Sequence, residues 1–159
     1  MSKYSLNVAL QYGEKLKKFS NLDEAEQYYL INKNCLLNKL EVLCKDNFSF
    51  LPDYTIDSLK QLEKWYFDLF ENNLFDTIGL DRKEFESLMS IYFGEVVVRN
   101  NDNAKWIVEE YAFVEGKYEL MVNKGLLSMS IDNKCNDWFN EPCNKKHNLL
   151  FRQYNRYFK

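Results

Sequence analysis

A chain of 159 residues, 46% hydrophobic, 16% aromatic and 28% charged, has the length and composition of one globular domain, which we expect to span residues 1–159. Its formal net charge of -3 gives no overall attraction to nucleic acid or to an anionic membrane. No apolar run is long enough to cross a bilayer, and the first residues lack the apolar centre of a secretion signal. We therefore predict a cytoplasmic protein without a membrane partner.

The first part of the chain predicts two helices. Apolar residues between positions 6 and 19 recur at helical spacing, with Gly13 as a weak point. A longer helix is expected after Asn21, which forms a capping-box pattern with Glu24. One face of this second helix carries apolar residues at steps of three, four or seven: Leu22, Ala25, Tyr29, Leu36, Leu40 and Leu43.

Two further helices are expected after Pro52, which interrupts the pattern. Thr55 is a suitable N-cap for the third helix, and Asp81 is a suitable N-cap for the fourth. The helical spacing of the fourth ends at Tyr92. Gly94 then predicts a left-handed C-cap and a structural turn into a strand.

The second half of the chain predicts four short strands, at residues 96–99, 106–113, 118–122 and 126–131. Gly125 suits the left-handed position of the loop between the last two. In the last strand Leu127, Met129 and Ile131 alternate with serines, as in an antiparallel sheet with one buried face. The sequence thus predicts an α+β fold with N-terminal helices, a four-strand antiparallel meander and a C-terminal helix packed on one sheet face.

The C-terminal segment, residues 145–159, mixes basic and aromatic residues and contains no acidic residue. This mixture is one signature of nucleic-acid binding. An amphipathic helix explains it equally, because Leu150, Tyr154, Tyr157 and Phe158 form an apolar stripe and the cations occupy the outer positions. Given the negative net charge, we prefer the second interpretation and do not predict a nucleic-acid partner.

Four cysteines and one histidine offer little for metal or cofactor chemistry. Cys143 and His147 are four residues apart, as two ligands on one helical face would be, and Cys135 lies upstream. The spacing from Cys135 fits no common zinc module and no fourth ligand is evident. We therefore interpret the cysteines as reduced, mostly buried thiols, and predict neither a metal ion nor a cofactor.

Carboxylates are the remaining candidates for a site. Glu95, Glu109, Glu110 and Glu115 lie around the predicted sheet together with Trp106. Neighbours in a strand point to opposite faces, so Glu109 and Glu110 cannot both line one pocket. We predict no catalytic residue among them and interpret all five residues as binding residues, the glutamates forming an acidic edge that faces a protein partner with a basic surface.

The stretch Tyr92-Phe93-Gly94-Glu95-Val96-Val97, followed by Trp106, resembles an element of small uncharacterised bacterial domains, in which a helix ends in a "Y-x-G-E-V" turn. The upstream segment DYTIDSLKQLE, residues 53–63, is similar to the helix that precedes this element. By class alone, the chain also resembles bacterial toxin-immunity proteins, which are small, acidic, single-domain and α+β. The resemblance transfers no catalytic residue.

These features lead to two hypotheses. The first is a non-enzymatic bacterial binding protein, in particular an immunity-type inhibitor that occludes a toxin. The alternative is a small enzyme or ligand-binding protein whose pocket, between sheet and helices, contains Glu95 or Glu110. Beside these two hypotheses, a homodimeric scaffold is a third possibility, which would show an exposed apolar patch and a dimeric mass in solution.

Overall fold

The computed structural model describes residues 2–47, 50–141 and 147–159. Its helices and strands in chain order are α1 (Lys3–Lys15), α2 (Leu22–Asp46), α3 (Ser58–Glu71), α4 (Arg82–Arg99), β1 (Ala104–Glu110), β2 (Tyr118–Lys124), β3 (Leu127–Ser130) and α5 (Leu149–Tyr157). Short 3-10 turns lie at Phe75–Ile78 and Trp138–Asn140. The predicted α+β class is confirmed.

The N-termini of α2 and α4 follow the predicted capping residues. Asn21 Oδ1 accepts a hydrogen bond from the Glu24 N–H at 2.9 Å. At α4 the capping box is complete, because Asp81 accepts from the Glu84 N–H at 2.8 Å and Glu84 accepts from the Asp81 N–H at 3.1 Å. Helix α3 begins later than predicted, at Ser58.

The predicted boundary at Gly94 is wrong. Helix α4 continues through Gly94 and the three valines to Arg99, so neither the C-cap nor the strand at residues 96–99 exists. Eleven of the eighteen residues of α4 are buried, and Val96 and Val97 are fully inaccessible. A helix buried on most of its sides has a continuous apolar run, which sequence periodicity cannot distinguish from a buried strand.

The described sheet therefore has three antiparallel strands in the order β1-β2-β3, and the predicted four-strand meander is wrong. Strands β1 and β2 pair from Ala104↔Lys124 to Glu110↔Tyr118. Lys124 pairs with Leu127, which leaves a two-residue loop. Gly125 opens this loop with φ 61°, as predicted for a left-handed position.

The helices pack on one face of the sheet, which we call the core face. It carries Trp106, Val108, Leu120 and Val122, and both α2 and α4 contact β1 and β2 there. Helix α3 contacts α4, and α5 packs on α3 rather than on a sheet face, which corrects the predicted position of the C-terminal helix. In the described part of the chain, no helix combines the length and apolar character needed to cross a membrane.

Candidate functional site

Gly94 and Trp106 form the contact that joins α4 to β1. The Trp106 indole lies so close to the backbone of α4 that a Cβ atom at residue 94 would be 2.8 Å from Trp106 Cζ2 and closer still to Cη2. Only glycine leaves room for this ring. Trp106 Nε1–H donates to Glu95 Oε2 at 2.9 Å, which fixes the ring in its plane.

Glu95 is engaged on both carboxylate oxygens. Arg99 Nε donates to Oε1 at 2.8 Å, and Lys33 Nζ lies 3.8 Å from Oε2. Burial by itself would raise the pKa of Glu95, but the hydrogen bonds from Arg99 and Trp106 and the charge of Lys33 outweigh it, so the pKa lies below its usual value. Glu95 is thus an ionised link between α2, α4 and β1.

The other predicted acidic residues are separate from this link. Glu109 is exposed on β1, and Glu115 is exposed in the connection to β2. Glu110 is also exposed, and its Oε1 accepts a hydrogen bond from the Gly116 N–H at 2.8 Å, which holds the connection in place. The structure therefore brings Glu95 and Trp106 together and leaves Glu109, Glu110 and Glu115 around the end of β1.

The acidic edge has basic neighbours that the sequence did not reveal. The backbones of Lys18 and Lys117 form an isolated antiparallel β-bridge beside the turn that contains Glu115. Lys117 Nζ donates to the carbonyl oxygens of Glu14 and Leu16 at 2.9 and 2.6 Å, which ties the end of α1 to this turn. The edge therefore presents charges of both signs.

Two buried carboxylates were missed by the sequence interpretation. Glu86 accepts hydrogen bonds from Arg82 Nη1 at 2.9 Å, from the Tyr66 hydroxyl at 2.7 Å and from the backbone N–H groups of Asp137 and Trp138 at 3.1 Å. These bonds anchor the segment that follows the sheet. Glu86 lies one turn before Ser90 on the buried side of α4, and its position among apolar residues was the available signal.

Glu63 of α3 anchors the same segment further along. Its Oε1 accepts from Trp138 Nε1 at 3.2 Å, and its Oε2 accepts from the Leu149 N–H, at the start of α5, at 2.7 Å. Burial raises the pKa of Glu63 to about 7 against the lowering effect of these hydrogen bonds. Its place within the apolar stripe of α3, between Leu59 and Tyr66, was the signal in the sequence.

A cleft of about 600 Å³ runs along α3 between Lys64, Phe67 and His147. Glu63 lines it, but its two oxygens are bonded as described. Neither Glu95 nor Glu110 lines this cleft.

Glu119 and Asp132 are two further neighbouring carboxylates, at the place where α1 contacts the sheet. The Tyr12 hydroxyl of α1 donates to Glu119 Oε1 at 2.9 Å and lies 3.2 Å from Ser130 Oγ. Burial, and to a smaller extent the charge of Glu119, raises the pKa of the neighbouring Asp132 to about 6. A tyrosine hydroxyl therefore lies beside each carboxylate, that of Tyr12 beside Glu119 and that of Tyr29 beside Asp132.

The second face of the sheet, which we call the outer face, is defined by Lys105, Ile107, Glu109, Glu119, Met121, Asn123, Ser128 and Ser130. Tyr12 covers one end of it. Ile107 and Met121 are directly opposite each other in the register and remain partly exposed in its centre. This face therefore presents an apolar centre with a polar surround.

No three His, Cys, Asp or Glu side chains among the described residues could hold a metal ion together. Cys135 is buried, Cys44 is partly buried and Cys35 is exposed. Cys143, one of the three residues considered as metal ligands, lies outside the described residues.

Comparisons with known proteins agree on one relationship. The family model described as "Uncharacterised protein YwmA" matches residues 18–158, which leaves out α1. The uncharacterized protein YwmA of Bacillus subtilis (strain 168) is 30% identical over 132 residues, which cover 83% of this chain and 83% of that protein. No solved structure gives a significant match. These matches confirm the predicted resemblance to a small uncharacterised bacterial domain.

Proposed function

The chain belongs to the YwmA family of uncharacterised proteins, and we propose that it is a non-enzymatic binding protein that docks a protein partner on the outer face of its sheet. The observation that supports this proposal is the partly exposed pair Ile107 and Met121 at the centre of that face. An apolar centre surrounded by polar side chains is the usual arrangement of a protein interface.

Helix α1 is joined to one end of this surface through the Tyr12 hydroxyl. Its C-terminal half is held by Tyr12 and Gly13, whereas Tyr4 and Val8 in its N-terminal half are 80% and 49% exposed. Large apolar side chains that are exposed on this helix add to the apolar area that a partner could bury. A partner that contacts both would be held by the helix and the sheet together.

Although the edge carries charges of both signs, two of its carboxylates remain free to meet basic groups of a partner. Glu109 and Glu115 are exposed, and within the described residues no hydrogen bond or ion pair engages their side chains. Such carboxylates at the rim of an interface mainly accelerate association with an oppositely charged surface. An alternative pocket around Glu95 or Glu110 is not proposed, because both carboxylates are bonded to neighbouring groups.

A pull-down with a matched control tests the proposal. Wild-type protein is coupled to resin and exposed to a lysate of the organism that carries the gene. We expect Met121→Glu, which puts a charge into the centre of the outer face, to lose a protein that wild type retains. Ile31→Glu, at a 64% exposed position of α2, should retain it. If every retained protein is retained equally by Met121→Glu, the outer face is not the binding surface.

If the partner bound on the outer face is a toxin domain, the protein is an immunity-type inhibitor. Co-expression with the product of a neighbouring gene tests it: wild type and Ile31→Glu should relieve growth inhibition by a toxic product, and Met121→Glu should not. Equal growth with and without the wild-type chain would contradict the immunity role.

A further inference from the structure

We propose that two copies of this chain associate through strand β1, which pairs antiparallel with β1 of the second copy around a two-fold axis at Ile107. The two three-stranded sheets would then form one six-stranded sheet. This inference does not rest on the proposed function, because it follows from the free backbone edge of β1, although the side chains of Ile107 and Glu109 on the outer face take part in both.

Strand β1 is an open edge of the described sheet. It has seven residues, contains neither proline nor glycine, and is paired only with β2 in the order β1-β2-β3. Natural proteins usually protect such an edge with proline, a bulge or a covering segment, since an open edge pairs readily with another strand.

The hydrogen-bonding pattern shows which backbone groups are available. The Tyr111 N–H donates to the Lys117 carbonyl at 2.6 Å in the same register as the strands, so alternate residues, including Ile107, bond to β2. The N–H and C=O groups of Trp106 and Val108 therefore point away from β2. Within the described residues, no other backbone or side-chain group bonds to them. They are the four central groups per chain that a second strand would satisfy, and Glu110, next in the same alternation, also directs its backbone groups away from β2.

The sequence of β1 is self-complementary in one register. With the axis at Ile107, Trp106 lies opposite Val108 of the second copy, and the two residues exchange both backbone hydrogen bonds. On the outer face Ile107 then lies against Ile107 of the second copy. Lys105 lies opposite Glu109 of the second copy, and each of these side chains is exposed. The pairing thus forms one apolar contact flanked by two opposite-charge pairs.

Neighbouring registers lack this match. An axis at Val108 would place Ile107 opposite Glu109 of the second copy, and an axis at Trp106 would place Lys105 opposite Ile107 of the second copy. Both combine a charged and an apolar side chain. Charges on an edge strand normally prevent pairing with a copy, whereas the order Lys105, Ile107, Glu109 makes them complementary.

Charge exchange tests the register by sedimentation equilibrium of the full chain. Wild type should be a dimer. Lys105→Glu and Glu109→Lys each place like charges opposite each other twice per dimer and should weaken association by about tenfold or more. The double variant Lys105→Glu/Glu109→Lys restores opposite charges and should regain wild-type affinity to within about threefold. Wild type that is monomeric up to about 1 mM, the weak end of specific association, overturns the proposal. So does a double variant no tighter than either single variant.

Disulfide trapping gives an independent readout. In a Cys35→Ser/Cys143→Ser background, which removes the thiol that is exposed among the described residues and the one that lies outside them, Ile107→Cys should form a covalent dimer on mild oxidation. Directly opposite residues at such a position have Cα atoms about 4.5 Å apart, within the range that a disulfide spans. Ser128→Cys is the control, since it is exposed on the outer face but lies on β3. No covalent dimer from Ile107→Cys, or an equal yield from Ser128→Cys, contradicts pairing through β1.

Discussion

Gly94→Ala should destabilise the protein although it adds a helix-forming residue to the interior of a helix. In an unobstructed helix this change stabilises by about 0.5–1 kcal/mol, because alanine loses less backbone entropy than glycine. At residue 94 the new methyl group would lie 2.8 Å from Trp106 Cζ2 and nearer to Cη2, so the ring or the helix must move. Overpacking of this kind costs about 1–3 kcal/mol or more. We expect a net loss of about 2 kcal/mol.

A double-mutant cycle measured by urea denaturation isolates the contact. In a Trp106→Leu background the steric conflict is absent, and Gly94→Ala should be neutral or stabilising by up to about 1 kcal/mol. Ser87→Ala, elsewhere on α4, controls for helix propensity and should change stability by less than about 0.5 kcal/mol. The reasoning is refuted if Gly94→Ala leaves wild-type stability unchanged, or if it is equally destabilising with leucine at residue 106.

The remaining predictions concern buried carboxylates. Because the pKa of Asp132 is raised to about 6, its folded state holds a proton that the unfolded state releases near pH 4; its contribution to stability is therefore lost as pH rises from about 4 to about 6. Asp132→Asn should be more stable than wild type at pH 8, by on the order of 2 kcal/mol, and its stability in urea denaturation should fall less than that of wild type between pH 4 and pH 6. Glu63, whose pKa is also raised, should account for the fall that remains. An unchanged pH dependence would exclude Asp132 as a source of the fall. Glu86→Gln should cost about 3 kcal/mol by the same assay, because Arg82 loses its buried ionic partner, while the exposed control Glu71→Gln should cost little. Equal stability of the two glutamine variants would show that Glu86 is no anchor.

The predicted helix starts at Asn21 and Asp81 are correct because each depends on a bond between residues three apart in the chain. The β2–β3 hairpin was also predictable, since Gly125 and the alternation after it act locally. The end of α4 was not. A glycine followed by valines favours a turn and a strand when neighbours in sequence alone are considered.

The candidate site shows the same division. The sequence singled out Gly94, Glu95 and Trp106, and the structure brings all three into contact. Their arrangement was not predictable, because the residue that requires a glycine at position 94 lies twelve positions further along, on a strand. Glu63 and Glu86 were missed for a related reason: each accepts hydrogen bonds from backbone N–H groups of a segment about 50 to 90 residues away, in addition to side-chain donors.

By itself the sequence determined the α+β class, the capped beginnings of α2 and α4 and the hairpin, because these depend on residues within a few positions of one another. Only the tertiary structure decided that residues 96–99 extend a helix, since burial between the sheet and the other helices satisfies that apolar run in helical form. The tertiary structure also decided the role of Gly94. A glycine is required at residue 94 because the Trp106 ring lies against the helix backbone there, and not because a helix ends there.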